Sequence, residues 1–293
     1  MKKYMTIGLG ILFLAGCSKD ETGTQPDGKG RAVQFVSKVE TRATASSFEA
    51  NDAIGIYMIQ NGKPLSSENI IENTANRHYE TTDKNIFKPV TEEETVYFPK
   101  DNSTVDFISY YPHSAQVTDD FTIPVKVTDQ SRQAAIDLLY SNNATKQNYT
   151  NPATQLIFKH QLVRLRFILK PGKGLTDELM KGTTVTIKGM NTQGDFSLVT
   201  GKLTAKASEA DITALTSADG KNSEALVLPD KGEGKQFIFV VNQEAFYYTL
   251  TPEDTLVSGE QYTYNVTLNR IENSITGKIE TWTEVKRDIE VEP

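Results

Sequence analysis

Short runs in which apolar and polar residues alternate recur along the whole chain, and they restrict it to a β-rich fold. In "QYTYNVTL" (residues 261–268) every second residue from Tyr262 to Leu268 is apolar, which places these side chains on one face of an extended strand. Comparable runs, rich in β-branched or aromatic residues and ended by turn residues, lie at 54–58, 95–99, 105–112, 121–127, 156–169, 184–190, 225–229, 236–241 and 245–250. Only residues 131–140 have a spacing that suits either a short helix or an extended segment. Because long crossover helices are missing, the pattern predicts an all-β protein built from β-sandwiches.

The length of the chain predicts about two such domains. More than 250 of the 293 residues follow the polar N-terminal segment, which is the amount of sequence that two ordinary domains need. The most polar internal stretch is "SNNATKQNYTNP" (residues 141–152), and it predicts the boundary. We therefore expect a first domain at 33–151 and a second at 152–293.

The N-terminus has the layout of a bacterial export signal. Met1 is followed by two lysines and then by a short apolar run at residues 6–15, too short for a membrane-spanning helix, which needs about 20 residues. Small residues then precede Cys17, the single cysteine, in an arrangement that resembles a lipobox. The pattern predicts a signal peptide at 1–16 and a lipidated Cys17 that begins a polar tether at 17–32. A buried or reactive free thiol is the alternative, but a signal-peptide junction offers no core to bury it.

Charge and residue types exclude several functions. The chain has 31 basic and 38 acidic residues, a formal net charge of −7, and no clustered basic stripe, which argues against a nucleic-acid partner. Its three histidines lack the close spacing of a zinc site, and His160, inside an alternating run, is interpreted as structural. The sequence therefore predicts no metal, no cofactor and no enzyme activity. A surface hydrolase whose carboxylate pair is assembled by folding stays open as an alternative.

Six stretches in a fixed order give the chain a family resemblance. They are "FEANDAIGIYM" (48–58), "VYFPKDNSTVDFISYYP" (96–112), "DLLYSNN" (137–143), "LIFKHQLVRLRFIL" (156–169), "YYTLTPEDTLVSGEQYTYNVTL" (247–268) and "IETW" (279–282). In this order, after a lipobox, they resemble the fimbrillin-like lipoproteins of Bacteroidales, the subunits of type V pili. The resemblance implies two tandem transthyretin-like β-sandwich domains and export to the outer membrane as a lipoprotein precursor. It further implies polymerisation with other fimbrillin subunits into a cell-surface fimbrium by strand exchange.

The resemblance also implies maturation by an arginine-specific, trypsin-like protease. The matching position lies in "ETRATASSF" (residues 40–48), between Arg42 and Ala43. This site follows a strand-like run and precedes small polar residues, an arrangement that favours proteolytic access. An ordinary loop arginine is the alternative interpretation.

Two strand-like segments are candidates for the exchange. In "VQFVSKV" (33–39), Val33, Phe35 and Val39 share a face with Ser37, and we expect cleavage to remove this strand from the first domain. The donor would come from the tail at 283–293 of another subunit. The apolar residues that share one face of this tail, with Arg287 among them, are Val285, Ile289 and Val291. Alternatively, the tail folds back on its own second domain.

Two further expectations concern the surface. A lipid-anchored glycan-binding protein is the rival function, with Tyr110, Tyr111 and Trp282 as sugar platforms, although aromatic strand residues more often belong to a core. "DTL" (254–256) resembles the Asp-Ser/Thr-aliphatic O-glycosylation sites of Bacteroidales. It makes Thr255 a candidate site, since a turn after Pro252 would expose it.

Overall fold

The computed structural model describes residues 30–40, 48–83, 85–270, 275–281 and 287–291. Within these residues the chain forms twenty strands, one short α-helix, α1 (Asp177–Met180), and two single turns of 3-10 helix, Glu92–Glu94 and Gln133–Ala135. The predicted all-β class is confirmed. None of the helices in the described ranges is long and apolar enough to cross a membrane.

The first part of the chain closes into a barrel. It contributes β1 (Gln34–Val39), β2 (Ala53–Gln60), β3 (Arg77–Asp83), β4 (Ile86–Pro89), β5 (Val105–Tyr111), β6 (Thr122–Lys126), β7 (Leu139–Ser141) and β8 (Ala153–His160). All of these except β6 are hydrogen-bonded in the order β1-β4-β3-β2-β5-β7-β8, and β8 pairs back to β1. β1 is antiparallel to β4 and parallel to β8, so it is the strand that closes the ring. Alternation predicted strands with one buried face, but it does not show whether their sheets close.

The central strands of the barrel serve two cores at once. In β5 every residue is buried, and its two faces contact different clusters: Phe107 and Tyr111 pack inside the barrel, whereas Ile108 and Tyr110 pack against the second part of the chain. β2 is divided in the same way, with Met58 inside the barrel and Tyr57 outside it. The outer wall of the barrel is therefore covered on this side.

The second part of the chain supplies the remaining strands. They are β9 (Val163–Pro171), β10 (Thr184–Asn191), β11 (Gln193–Ser197), β12 (Lys202–Ala205), β13 (Glu209–Thr213), β14 (Leu215–Thr216), β15 (Asn222–Val227), β16 (Gln236–Val241), β17 (Glu244–Thr249), β18 (Gln261–Leu268), β19 (Ile275–Thr281) and β20 (Arg287–Val291). A four-stranded sheet has the order β13-β10-β16-β17, and a six-stranded sheet has the order β14-β15-β9-β18-β19-β20. These sheets pack face to face, because the ring of Phe237 on β16 lies 5.0 Å from that of Phe167 on β9 and 4.9 Å from that of Tyr264 on β18.

The two parts are joined by a strand that crosses between them. β6 comes from the first part but pairs with β11, in a three-stranded sheet ordered β12-β11-β6. Beside it, the buried amide of Gln130 donates to Val127 O at 2.6 Å and to Leu226 O at 2.9 Å, and accepts from Leu226 N at 2.8 Å. The hydroxyl of Tyr140 donates to Leu198 O at 2.8 Å. The apolar core is continuous across this junction.

The chain passes from the barrel to the second part later in the sequence than the predicted boundary between residues 151 and 152. β8 follows that boundary and nevertheless completes the barrel, so the chain leaves the barrel at residues 161–162, between β8 and β9. The polar run at 141–152 connects β7 to β8 over the surface of the barrel. Its composition identifies a loop, but it carries no information about which sheet the next strand joins.

Candidate assembly site

β1 occupies a slot between β4 and β8, and we call this space the β1 slot. Along β8 the register is continuous from Gln34 opposite Ala153 to Val39 opposite Phe158. Before the strand begins, Val33 N donates to Val96 O at 2.9 Å. The backbone of residues 30–40 is therefore held by three separate parts of the barrel wall: β4, β8 and residues 96–98.

Phe35 anchors β1 in the slot. Its side chain is 0% exposed, and its ring meets the rings of Tyr79 and Phe107 edge-on, each at a centroid distance of 5.2 Å. Such contacts add to the large apolar area that a buried phenylalanine removes from water. Burial raises the pKa of Tyr79 to about 12, so its hydroxyl stays neutral and accepts the Val96 N–H at 2.8 Å. The alternation of residues 33–39 predicted that Phe35 lies on the apolar face of the strand, but no local sequence signal identifies Tyr79 and Phe107 as its partners.

The remainder of the inward face of β1 is less apolar. Val33 is buried, as its predicted position on the inward face requires, and Val39 is half-buried. Between Phe35 and Val39 lies Ser37, which is 7% exposed. At the far end Glu40 N donates to Phe158 O at 2.8 Å, and the exposed Glu40 carboxylate lies 3.5 Å from Lys159 Nζ.

The predicted donor tail lies at the opposite end of the described chain, and its described part is a strand at the edge of a sheet. β20 is the edge strand of the six-stranded sheet, and its partner there is β19, with Ile289 opposite Gly277 and Val291 opposite Ile275. In this single chain residues 287–291 of the predicted tail thus pair with their own sheet, which is the alternative interpretation given above. Val285, the third predicted donor residue, lies outside the described residues.

Several predicted positions also fall outside the described residues. These are the lipidation site Cys17, the cleavage site at Arg42 and Ala43, and the aromatic Trp282. The described part of the N-terminal segment ends at Glu40, two positions before Arg42 in the sequence. The proposed cut between Arg42 and Ala43 therefore comes three residues after Val39, the last residue of β1.

The rival glycan platform is wrong for the two tyrosines. Tyr110 is 0% exposed and Tyr111 is 7% exposed, so neither ring is available to a sugar. The hydroxyl of Tyr110 donates to Asn76 Oδ1 at 2.7 Å, and that of Tyr111 donates to Asp52 Oδ1 at 3.0 Å. Because both faces of β5 are covered, the neighbouring residues Tyr110 and Tyr111 are both buried although their side chains lie on opposite faces of the strand.

The histidines have structural surroundings. His160 Nδ1 lies 3.0 Å from Asp137 Oδ1, which agrees with its interpretation as a structural residue. The pair borders a cavity of about 450 Å³ that also contains the Arg164–Glu224 ion pair. His78 and His113 stack at 4.0 Å with nearly parallel rings. Within the described ranges there is no group of three or more His, Cys, Asp or Glu side chains that could hold a metal ion.

Thr255 occupies an exposed position in a turn. Its neighbours Asp254 and Leu256 are both buried, and the Asp254 carboxylate accepts the Thr251 N–H at 2.7 Å. The carbonyl of Thr255 accepts the Tyr262 hydroxyl at 2.8 Å. The backbone is therefore fixed on both sides while the Thr255 side chain faces solvent.

Comparison with known sequences gives consistent matches over nearly the whole chain. The family model described as fimbrillin-like matches residues 41–282. A protein of Bacteroides uniformis named as fimbrium subunit Fim1C is 32% identical over 298 residues, covering 97% of this chain and 96% of the relative.

Comparison with solved structures extends the likeness to three dimensions. A crystal structure described as a cell adhesion protein from Bacteroides uniformis matches with a TM-score of 0.74 and 31% identity, covering 88% of this chain and all of the other. A second crystal structure, described as a cell adhesion protein from Bacteroides ovatus, matches with a TM-score of 0.67 at 17% identity, covering 90% and 96% of the two chains. The second match concerns the fold alone.

Proposed function

Because the chain belongs to the fimbrillin-like family, we propose that it is a structural subunit of a cell-surface fimbrium and supports adhesion. The observation that carries the proposal is the match to a relative named as a fimbrium subunit over 97% of this chain. A structural relative described as a cell adhesion protein supports it. We assign the subunit no catalytic role and no cofactor.

The proposed assembly step begins with the removal of β1. An arginine-specific, trypsin-like protease cuts between Arg42 and Ala43 and separates β1 from the rest of the chain. Departure of β1 frees the backbone groups along the edges of β4 and β8, together with the aromatic pocket of Phe35, for another strand. An exposed edge beside an apolar slot is a template for an added strand.

The tail at 283–293 of a second subunit is the proposed occupant. Its apolar positions Val285, Ile289 and Val291 repeat the period-two pattern of β1. Main-chain hydrogen bonds along both edges contribute to the binding, and the apolar side chains contribute by leaving water. This head-to-tail contact joins different surfaces of two copies and need not close into a ring, so it produces a fibre.

Delivery to the surface is assigned to the N-terminal segment. Lipidation of Cys17 anchors the precursor in the outer membrane, and the part of the predicted tether before residue 30 holds the folded part away from it until cleavage. Cys17→Ala is expected to abolish incorporation of a labelled fatty acid and to leave the signal peptide attached. Equal labelling of the variant would contradict this part of the proposal.

The assembly step is tested with the full chain after signal removal. Treatment with a trypsin-like protease is expected to give a ladder of polymers on size-exclusion chromatography and electron microscopy. Arg42→Ala should remain monomeric, and truncation after Thr283 should prevent chain growth. Arg132→Ala, which removes an exposed arginine elsewhere, is the matched control and should polymerise normally. Polymerisation of the truncated chain at the normal rate would overturn the donor assignment.

Thr255 is a proposed O-glycosylation site. The exposed side chain in a fixed turn supports this assignment, since a modifying enzyme needs access to the hydroxyl. Thr255→Ala is expected to lower the intact mass of protein purified from the native host by the mass of the glycan. A mass change equal to the substitution alone would remove the proposal.

A further inference from the structure

The two halves of β1 are held by different numbers of neighbours. Up to Val36 the strand pairs with both β4 and β8, with Phe35 opposite Phe87 and Val36 opposite Ile86 on the β4 side. Beyond Val36 the ladder to β8 continues, and on the β4 side the described residues add one bond, from Ser37 N to Asn85 O at 2.8 Å. Among the described residues, the C-terminal half of β1 therefore has fewer partners on the β4 side than the N-terminal half.

Ser37 weakens the same half through its side chain. Its hydroxyl is buried on the inward face, and among the described residues Oγ has no hydrogen-bond partner. A buried hydroxyl without a partner loses its bonds to water and gains none in return, which costs free energy in the folded state. Phe35, two residues earlier, is fully buried in an aromatic pocket.

We propose that Ser37 is a release point in β1, so that the strand separates from its C-terminal end first. This inference rests on the proposed function, because it concerns how the β1 slot is vacated during assembly. The half that opens is the one that adjoins the proposed cut at Arg42. Once the chain is cut there, residues 37–40 detach while Phe35 still occupies its pocket.

This order of events gives the incoming strand a starting position. The released half exposes the β8 edge opposite residues 37–39, and the donor tail pairs there before β1 has left. The slot is then never wholly empty, and its apolar pocket is not exposed to water. Terminal segments with few buried contacts open at low free energy without unfolding the domain, which is the behaviour required of this half.

Hydrogen exchange on the uncleaved chain tests the release point directly. Ser37→Ala removes the buried hydroxyl with little change in volume, so the amide protons of Ser37 and Glu40 should exchange about tenfold more slowly. The amide of Phe35 should change much less. Ser37→Thr keeps a hydroxyl and should exchange like the wild type. Unchanged exchange in Ser37→Ala, or slowing that is equal along the whole of β1, would overturn the proposal.

The rate of polymerisation after cleavage provides the second readout. Thr154 on β8 also carries a buried hydroxyl without a partner among the described residues, but it belongs to the wall that stays behind. Ser37→Ala should slow the appearance of polymers several-fold, whereas Thr154→Val, which affects β1 and the incoming strand alike, should not. Faster or equal polymerisation in Ser37→Ala would contradict the role of Ser37. Absence of polymers in the wild type would instead refute the proposed function, and the exchange data would still decide the release point.

Discussion

The strands at the two ends of the described chain, β1 and β20, are held in very different ways. β1 lies between β4 and β8 and places Phe35 in a fully buried pocket. β20 pairs with β19 at the edge of the six-stranded sheet. The strand that the proposed mechanism discards is thus paired on both sides, whereas the strand that it donates is paired on one side among the described residues.

This difference indicates where assembly is controlled. An edge strand can leave its sheet by breaking one ladder of hydrogen bonds, whereas β1 must break two and empty an apolar pocket. The proposed mechanism therefore needs a covalent cut in the acceptor subunit, since β1 that remains attached would rebind at once. In the proposed mechanism the donor strand needs no such cut, so the ability of a subunit to polymerise would depend mainly on its barrel.

The largest expected effect comes from emptying the Phe35 pocket. Phe35→Ala should lower the free energy of unfolding of the uncleaved chain by about 3–5 kcal/mol, because it removes a buried aromatic ring and leaves a cavity. Urea denaturation followed by tryptophan-independent far-UV circular dichroism measures this loss. Lys38→Ala, at an exposed position on the same strand, should have little effect. A loss below about 1 kcal/mol for Phe35→Ala would show that β1 is not the better-held strand.

The next effect concerns the join between the two regions. Gln130→Ala should destabilise the chain by about 2–3 kcal/mol, since it leaves the buried N–H and C=O of Leu226 without their partner. Unfolding of the barrel and of the two packed sheets should then separate into two transitions, seen by limited proteolysis. Gln116→Ala, at an exposed position, is the control. A single transition at the same urea concentration as in the wild type would show that the two regions unfold together without the Gln130 contact.

A smaller effect is expected from deleting β20. Truncation after Thr283 should lower the free energy of unfolding by no more than about 1 kcal/mol, because β20 has one neighbouring strand among the described residues and such a terminal strand opens at low free energy. The same urea titration measures it beside Phe35→Ala. A loss as large as that of Phe35→Ala would abolish the asymmetry between the two strands.

The smallest expected effect is a pH dependence confined to the barrel. Burial, and then the neighbouring His78, lower the pKa of His113 from its ordinary 6.5, while Glu94 and Glu80 oppose the shift. The unfolded chain therefore binds the proton at a higher pH than the folded chain, so this contribution is complete above pH 6.5 and declines below it. The urea concentration at the midpoint of unfolding should decrease as the pH is lowered from about 7.5 to about 5.5. The decrease should be smaller in His113→Phe, which keeps a stacked ring. An equal fall in both proteins would assign the dependence to other groups.

Local pattern predicted much of the site but not its surroundings. The alternation in residues 33–39 predicts that Val33, Phe35, Ser37 and Val39 share a face, because a strand's side chains alternate whatever its partners are. In the structure the first three side chains are buried and Val39 is half-buried. The pairing of β6 with β11 could not be predicted from the sequence, since strand partners that are distant in sequence leave no local signal. The same limit explains Tyr110, whose position on an apparent outer face is covered by a part of the chain that follows later.

The crossing strand β6 has a mechanical consequence for a fibre assembled as proposed. In such a fibre each subunit would contact one neighbour through its barrel and the other through its C-terminal sheet. A pulling force along the fibre would therefore act across the junction between the two regions. Domains joined by a small polar interface move relative to each other, but this junction has a continuous apolar core, a shared sheet and the buried amide of Gln130. The five residue pairs between β6 and β11 and the contacts beside them resist a load together. In a filament assembled as proposed, bending would therefore concentrate at the connections between subunits rather than within a subunit.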